Sequence, residues 1–324
     1  MRLLVIGGNR YHGKLLVQAL AARGDAVAVL NRNRYPCALP QGCRHLVADR
    51  NDREALAAVL QHERFDAVYD NNAYTADQVD LLADILGDGV GQYVFTSSVA
   101  VYLKRTSPTP VAERQADGRA DPDYPAHVLP YATGKLVAET TVRRRFPDQH
   151  TIVRLANVFG GEDFSAKLRY FERRLEDNGR LLLDAGLYPF SPIFVADAAR
   201  AMAQLSERPQ TRGTTLNLAA PTPIAVPDFL GLALGEDRLA GRIVSAAPHH
   251  IAACGVQCPV AWGPAMDVTA LTDRLDGFAF TPYAAWVRAG LVWERRHATA
   301  CENQPRHIEQ RRLEARCLAG LVHA

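Results

Sequence analysis

Short apolar runs alternate with amphipathic stretches through the first half of the chain. Leu3 to Ile6 is a compact apolar run that stops at Gly7, Gly8 and Gly13, and Lys14 to Ala22 continues with helical spacing. The alternation then repeats. Ala26 to Leu30 and His45 to Ala48 read as strands, Arg53 to His62 as a helix, and Ala67 to Tyr69 as a strand. A helix near Asp77 to Leu86 and the apolar run Gln92 to Thr96 follow. Strands separated by helical patterns of about 10–15 residues predict parallel βαβ units, with helices covering both faces of the sheet. The fold class expected is α/β with a doubly wound parallel sheet.

Residues 103–130 break this rhythm with several prolines, mixed charges and little periodicity, which reads as a long surface loop. A helix from about Tyr131 to Arg145 and a strand from Thr151 to Leu155 resume it. Beyond residue 157 the order becomes irregular and proline-punctuated. A second, smaller lobe is expected there, interrupted by Ile193 to Leu205, which look like a strand and helix returning to the sheet. The division expected is 1–157 with 193–219 for the first domain, 158–192 with 220–294 for the smaller lobe, and 295–324 as a basic tail. The tail holds Arg295, Arg296, Arg306, Arg311, Arg312 and Arg316, and reads as a solvated, frayed terminal helix.

Composition narrows the picture without deciding it. The 324 residues are 48% apolar and 22% charged, ample for a buried core and wrong for a disordered or collagen-like chain. Lys plus Arg number 37 against 35 Asp plus Glu, so nothing suggests a protein built to coat nucleic acid or an acidic membrane. The N-terminal apolar run reads as a strand rather than a secretory signal, and no apolar stretch is long enough to span a bilayer. Six scattered cysteines point to reduced thiols and a cytoplasmic protein. Cys254 and Cys258, with His249 and His250 close by, have zinc-like spacing, but no second ligand pair follows, so no metal is expected.

The glycine turn carries the first chemical signal. A turn after the first strand that opens a helix presents free backbone N–H groups to a pyrophosphate. Gly7, Gly8, Asn9, Arg10 and Gly13 form that turn here, with Arg10 where a middle glycine is usual. The second strand ends Asn31-Arg32-Asn33-Arg34, where an NAD-selective site would place an Asp or Glu. Guanidinium groups bind phosphate through paired hydrogen bonds, so NADP is expected over NAD. Asp49 is placed to touch an adenine amino group, and Asn72 and Ala73 lie where a strand end passes the cofactor. His12 reads as a surface or pyrophosphate-facing side chain, and Asp70 as a helix cap or a cofactor contact.

Tyr131 and Lys135 lie four residues apart, hence one turn apart on one helix face. An ammonium beside a phenol favours phenolate, which would lower the Tyr131 pKa toward neutrality. Lys135 is also placed to hold a nicotinamide ribose. The preceding strand ends Thr96-Ser97-Ser98, and a hydroxyl there would hydrogen-bond the substrate oxygen that Tyr131 protonates or deprotonates.

With these residues, the segment Arg154-Leu-Ala-Asn157-Val-Phe-Gly160 and Phe194-Val195-Ala196-Asp197, the chain resembles the extended branch of the short-chain dehydrogenase/reductase family. That branch contains nucleotide-sugar epimerases, dehydratases and reductases, and the likeness covers most of residues 1–295. The resemblance implies a Rossmann-type domain binding NAD(P) and a C-terminal lobe binding substrate. It also implies Ser98, Tyr131 and Lys135 as the catalytic trio and Asn157 as a substrate contact at the lobe junction. Helices from about Asp77 and Tyr131 are expected to pair across a two-fold axis, making a homodimer. Family dehydratases carry Thr-Asp-Glu where this chain has Ser98, Val99 and Ala100. Neither Val nor Ala exchanges a proton, which leaves epimerisation or ketone reduction by hydride transfer. The altered turn also occurs in relatives that bind stem-loop RNA. A non-catalytic NADP-sensing or RNA-binding role is therefore the rival reading, with nucleic acid disfavoured by the retained Ser98, Tyr131 and Lys135.

Overall fold

The computed structural model describes residues 1–35, 38–102, 107–116, 128–257, 262–297 and 304–322. In chain order the strands are β1 (Arg2–Ile6), β2 (Ala26–Asn31), β3 (Arg44–Val47), β4 (Ala67–Asp70), β5 (Tyr93–Ser98) and β6 (His150–Leu155). They continue with β7 (Val158–Phe159), β8 (Leu181–Asp184), β9 (Ile193–Phe194), β10 (Thr214–Leu218) and β11 (Ile243–Ala246). The helices are α1 (Tyr11–Ala22), α2 (Arg53–Leu60), α3 (Ala76–Leu86), α4 (Leu129–Arg145), α5 (Lys167–Asn178) and α6 (Val195–Leu205). After them come α7 (Val226–Leu234), α8 (Glu236–Leu239), α9 (Pro248–Ala253), α10 (Thr269–Thr272), α11 (Tyr283–His297) and α12 (Pro305–Val322).

Seven parallel strands make one sheet in the order β10-β6-β5-β4-β1-β2-β3. Alternate residues of each strand face opposite ways, so a sheet covered on both sides needs apolar residues at nearly every position. Leu3, Val5 and Val29 point to the side packed by α1 and α6, with Leu16 and Met202. Leu4, Ile6, Val68 and Phe95 point to the side packed by α2, α3 and α4. This is a Rossmann-like doubly wound sheet. The strand order reverses between β1 and β4, and the crevice beyond their carboxyl ends is where such a sheet binds ligands.

A smaller lobe gathers around Phe159, Phe171, Phe190, Phe229 and Trp262, with the β8–β11 pair at its edge. The chain leaves it through β9 and α6, and β10 closes the large sheet beside β6. Of the stretch read as a long surface loop, residues 107–116 are not loose. Val111 exchanges backbone hydrogen bonds with Ala265 and Asp267 at 2.8 and 2.9 Å. Residues 103–106 and 117–127 lie outside the described residues.

The basic terminal segment departs most from its expectation of a solvated, frayed helix. α12 docks on α5: Arg174 grips Glu314 through Nε and Nη2 at 2.6 and 2.5 Å, both side chains buried, and Arg311 reaches Asp177 at 2.6 Å. Cys317 and Leu318 pack beside Leu182 and Ala246. Asp177 and Arg174, the partners of Arg311 and Glu314, sit on a helix 134 and 140 residues upstream, so no local pattern reveals the pairing. Among the described residues, no helix is long and apolar enough to cross a membrane.

Candidate active site

The glycine turn sits at the carboxyl end of β1, where the peptide doubles back into α1. Gly7 has φ +84° and donates its N–H to the Leu30 carbonyl at 3.1 Å. A Cβ on Gly13 would stand 2.3 Å from the Gly7 carbonyl oxygen, so only glycine lets α1 start this close to the strand. No side chain caps α1 and no acid occupies its first turn, which leaves free N–H groups and the positive end of the helix dipole facing the crevice. That cradle fits the pyrophosphate of a dinucleotide. Gly8, rather than facing the crevice, packs inward, its missing Cβ reserved for Val17.

The groove runs from this turn past the end of β2, lined by Asn9, Arg10, Asn31, Arg32, Asp49 and Asn72. Arg10, standing where a glycine is usual, stacks its guanidinium between the Tyr35 and Phe164 rings at 4.0 and 4.2 Å, spanning from the sheet domain to the smaller lobe. Asn9 donates to the Tyr35 carbonyl at 2.8 Å and fixes the same loop. Asn31 accepts from the Asn33 N–H at 2.7 Å. Arg32 lies 3.6 Å from the Asp49 carboxylate, both half exposed. The Asn51 N–H, with help from Arg32, holds that carboxylate below its usual pKa.

Asp70 is neither a helix cap nor a cofactor contact. Thr75 caps α3. Asp70 is fully buried and binds Arg50 bidentately at 2.7 and 2.9 Å, while Tyr93 and the Asn72 and Ala73 N–H groups also donate to it. Arg50 further donates to Asn72 Oδ1 at 2.6 Å. This brace sets the Asn72-Ala73 strand end. Sequence reasoning missed Arg50, since a charged residue after a strand carries no signal of a partner twenty positions on.

Across the crevice, α4 presents Tyr131 and Lys135. A Cβ on Gly134 would meet the Tyr74 carbonyl at 2.4 Å, so the glycine in Tyr-Ala-Thr-Gly-Lys lets the helix press against that loop. Ser98 accepts from the Ala100 N–H at 3.2 Å, and it lies close enough to the Tyr131 phenol to draw its pKa down. The structure therefore brings Ser98, Tyr131 and Lys135 together at the carboxyl edge of β5. Their electrostatics differ from the expectation. Tyr131, 39% exposed as a residue, has its phenol pushed up to about 12 by desolvation against its neighbours, with Ser98 pulling the other way. Lys135 does not depress it. Its ammonium is buried and donates to the Ala73 and Thr96 carbonyls at 2.8 Å each, and burial lowers its own pKa to about 7.

His12 is not a surface side chain. Both ring nitrogens are sealed from solvent without a partner, and burial, with Lys135 and Lys167 nearby, lowers its pKa to about 4. Beside it Tyr11, held at φ +53°, has a phenol that burial keeps neutral. Behind both lies Glu294, raised to about 8 by burial and by Asp163, which itself pairs with Lys167 at 2.5 Å. Buried polar atoms rarely go unpaired, and this imidazole is one of the exceptions among the described residues. Asn157 stands at the lobe junction and accepts from the Gly263 N–H at 3.2 Å.

The family model described as the NAD dependent epimerase/dehydratase family matches residues 3–219. The 2'-dehydrokanamycin reductase of Streptomyces kanamyceticus is 30% identical over 232 residues, covering 69% of this chain and 63% of that enzyme. The chloroplast stem-loop binding protein of 41 kDa b of Arabidopsis thaliana is 33% identical over 116 residues, covering 32% of this chain and 30% of that protein. The matched stretch thus spans less than two thirds of either relative. The UDP-glucose-4-epimerase of Stenotrophomonas maltophila, solved with bound NAD, superposes with a TM-score of 0.72 at 19% identity, covering 93% of this chain and 99% of that one. At that identity the likeness speaks for the fold. The family match, which covers the glycine turn, the Ser98–Tyr131–Lys135 edge and all seven strands of the large sheet, decides the assignment: this chain belongs to the NAD-dependent epimerase/dehydratase family.

Proposed function

We propose that this chain transfers hydride between NAD(P) and a hydroxyl or keto carbon of a sugar-like, nucleotide-linked substrate, with Tyr131 as the acid/base. The carrying observation is the placement of Tyr131 on α4 beside Ser98 at the carboxyl edge of β5, with Tyr74, which lines the groove at the glycine turn, packed against the Tyr131 ring. Bound there, the cofactor would supply a nicotinamide carbon that gives or takes the hydride. The Gly7–Gly13 turn would hold its pyrophosphate, and Lys135 its nicotinamide ribose. Ser98 would orient the substrate oxygen, and Tyr131 would exchange the proton with it. Asn157 would contact substrate at the lobe junction. Val99 and Ala100 offer no proton-transfer group beside Ser98, which supports epimerase or ketoreductase chemistry over elimination of water.

NADP is the cofactor proposed. Asn31 in place of a carboxylate, with Arg32 and Arg34 lining the groove, supports a 2'-phosphate there. A reductase that exchanges NADPH at each turnover fits this better than an epimerase that keeps its cofactor. The test is to denature the purified protein and identify any released dinucleotide by mass spectrometry, then assay hydride transfer on keto sugars and nucleotide-sugars. An empty protein that binds and oxidises NADPH supports the reductase reading, and tightly retained NAD supports an epimerase. Failure to bind either form would overturn the proposal in favour of a non-catalytic role.

A further inference from the structure

We propose that His250, Cys254 and Cys317 form a site for a soft divalent cation, Zn²⁺ foremost, that fastens α12 to the smaller lobe. His250 and Cys254 are four residues apart at the end of α9, so one helical turn puts both on the same side. Cys317 arrives from the second-to-last turn of α12, far away in sequence. One ligand atom from each lies within 4.8 Å of the other two. Around a tetrahedral zinc with bonds of about 2.0–2.3 Å, ligand atoms stand roughly 3.3–3.8 Å apart. Side-chain movement of about an ångström therefore closes the cluster on a metal.

The chemistry of the set is selective. One imidazole and two thiols suit zinc, and do not suit magnesium or calcium, which take oxygen ligands. Cys317 is buried among Leu182, Ala246 and Leu318, with Cys254 packed alongside. Glu314, one turn before Cys317, is already committed to Arg174. His250 is exposed and gives the ion an entry path. Cys258, the other half of the zinc-like spacing, lies outside the described residues.

The test uses the full-length protein, reduced with a phosphine and stripped of metal. Titrated with Co²⁺, it should take up one equivalent per chain and show a thiolate-to-cobalt charge-transfer band. Zn²⁺ should displace the cobalt and raise the melting temperature by about 5 °C at a hundredfold excess over Kd. Cys254→Ser and Cys317→Ser should each remove the band and the shift. His250→Ala, at an exposed position where folding is not at risk, should weaken uptake at least tenfold. The proposal is overturned if wild type binds no cobalt, or if uptake is unchanged in His250→Ala. It is also overturned if the protein as purified is two hydrogens lighter than the reduced chain, with a Cys254–Cys317 disulfide located by peptide mapping.

Discussion

Lys135 stands one helical turn from Tyr131, its Nζ 5.9 Å from the centre of that ring, and donates its ammonium to the carbonyls of Ala73 and Thr96 at 2.8 Å each. The lysine thus ties α4 to the ends of β4 and β5, and Tyr131 keeps a phenol raised to about 12. Activation of the tyrosine then falls to groups that arrive with cofactor and substrate. Tyr131→Phe should cut turnover by about 10²–10⁴-fold while leaving dinucleotide affinity within a few-fold, because it removes a proton carrier without disturbing the turn. Steady-state kinetics beside a binding titration would check this. Full activity in the variant would exclude Tyr131 as the acid/base.

Arg32 and Asp49 face each other at 3.6 Å across the adenine end of the groove. On the proposed NADP reading, removing Arg32 would subtract a phosphate ligand and also free a carboxylate that would repel the 2'-phosphate and accept from a ribose hydroxyl. Both effects have one sign. Arg32→Ala should weaken NADPH by about tenfold or more, with NADH unchanged or improved. Calorimetric titration of the two cofactors decides it, and equal losses for both would refute the NADP assignment.

Arg50 is the partner that keeps a fully buried Asp70 ionised. Arg50→Ala should cost about 3–5 kcal/mol in urea unfolding, since it strands a carboxylate in the core. Adding Asp70→Asn should recover part of the loss, because a neutral amide is cheaper to bury. A cost below about 1 kcal/mol for the single variant would show the pair to be dispensable.

Glu294 is held near pKa 8 by burial and by the Asp163 charge. An unfolded glutamate titrates near about 4.3, so between those values the folded state binds an extra proton. Stability from this group is present at low pH and is lost as pH rises toward 8, by at most about 1.4 kcal/mol per pH unit. Glu294→Gln should flatten that fall. Melting temperatures of both proteins from pH 5 to pH 8 would test it, and parallel curves would count against the assignment.

Near-continuous apolar runs made the parallel strands legible, because a sheet covered on both faces has no polar positions to blur the pattern. The glycines at Gly7 and Gly13 were equally plain: Gly7 takes φ +84°, and a Cβ on Gly13 would stand 2.3 Å from the Gly7 carbonyl oxygen. Tyr131, Lys135 and Ser98 followed from helix periodicity and a strand end. Side-chain direction did not. Which way Lys135 points depends on carbonyls from two other strands, and whether His12 is sealed depends on Lys167 and the smaller lobe.

The order of strands along the chain and the glycine turn that opens α1 are therefore properties of the sequence itself, written in local periodicity and backbone sterics. Tertiary structure alone decided the rest. It placed Arg50 on Asp70, Arg174 on Glu314, and His250 with Cys254 and Cys317. It also determined which ionisable groups lie in desolvated surroundings, and so which way their pKa values move. Each of these is a long-range pairing of polar groups, whose free energy comes from distance and burial, and neither quantity is encoded in sequence spacing.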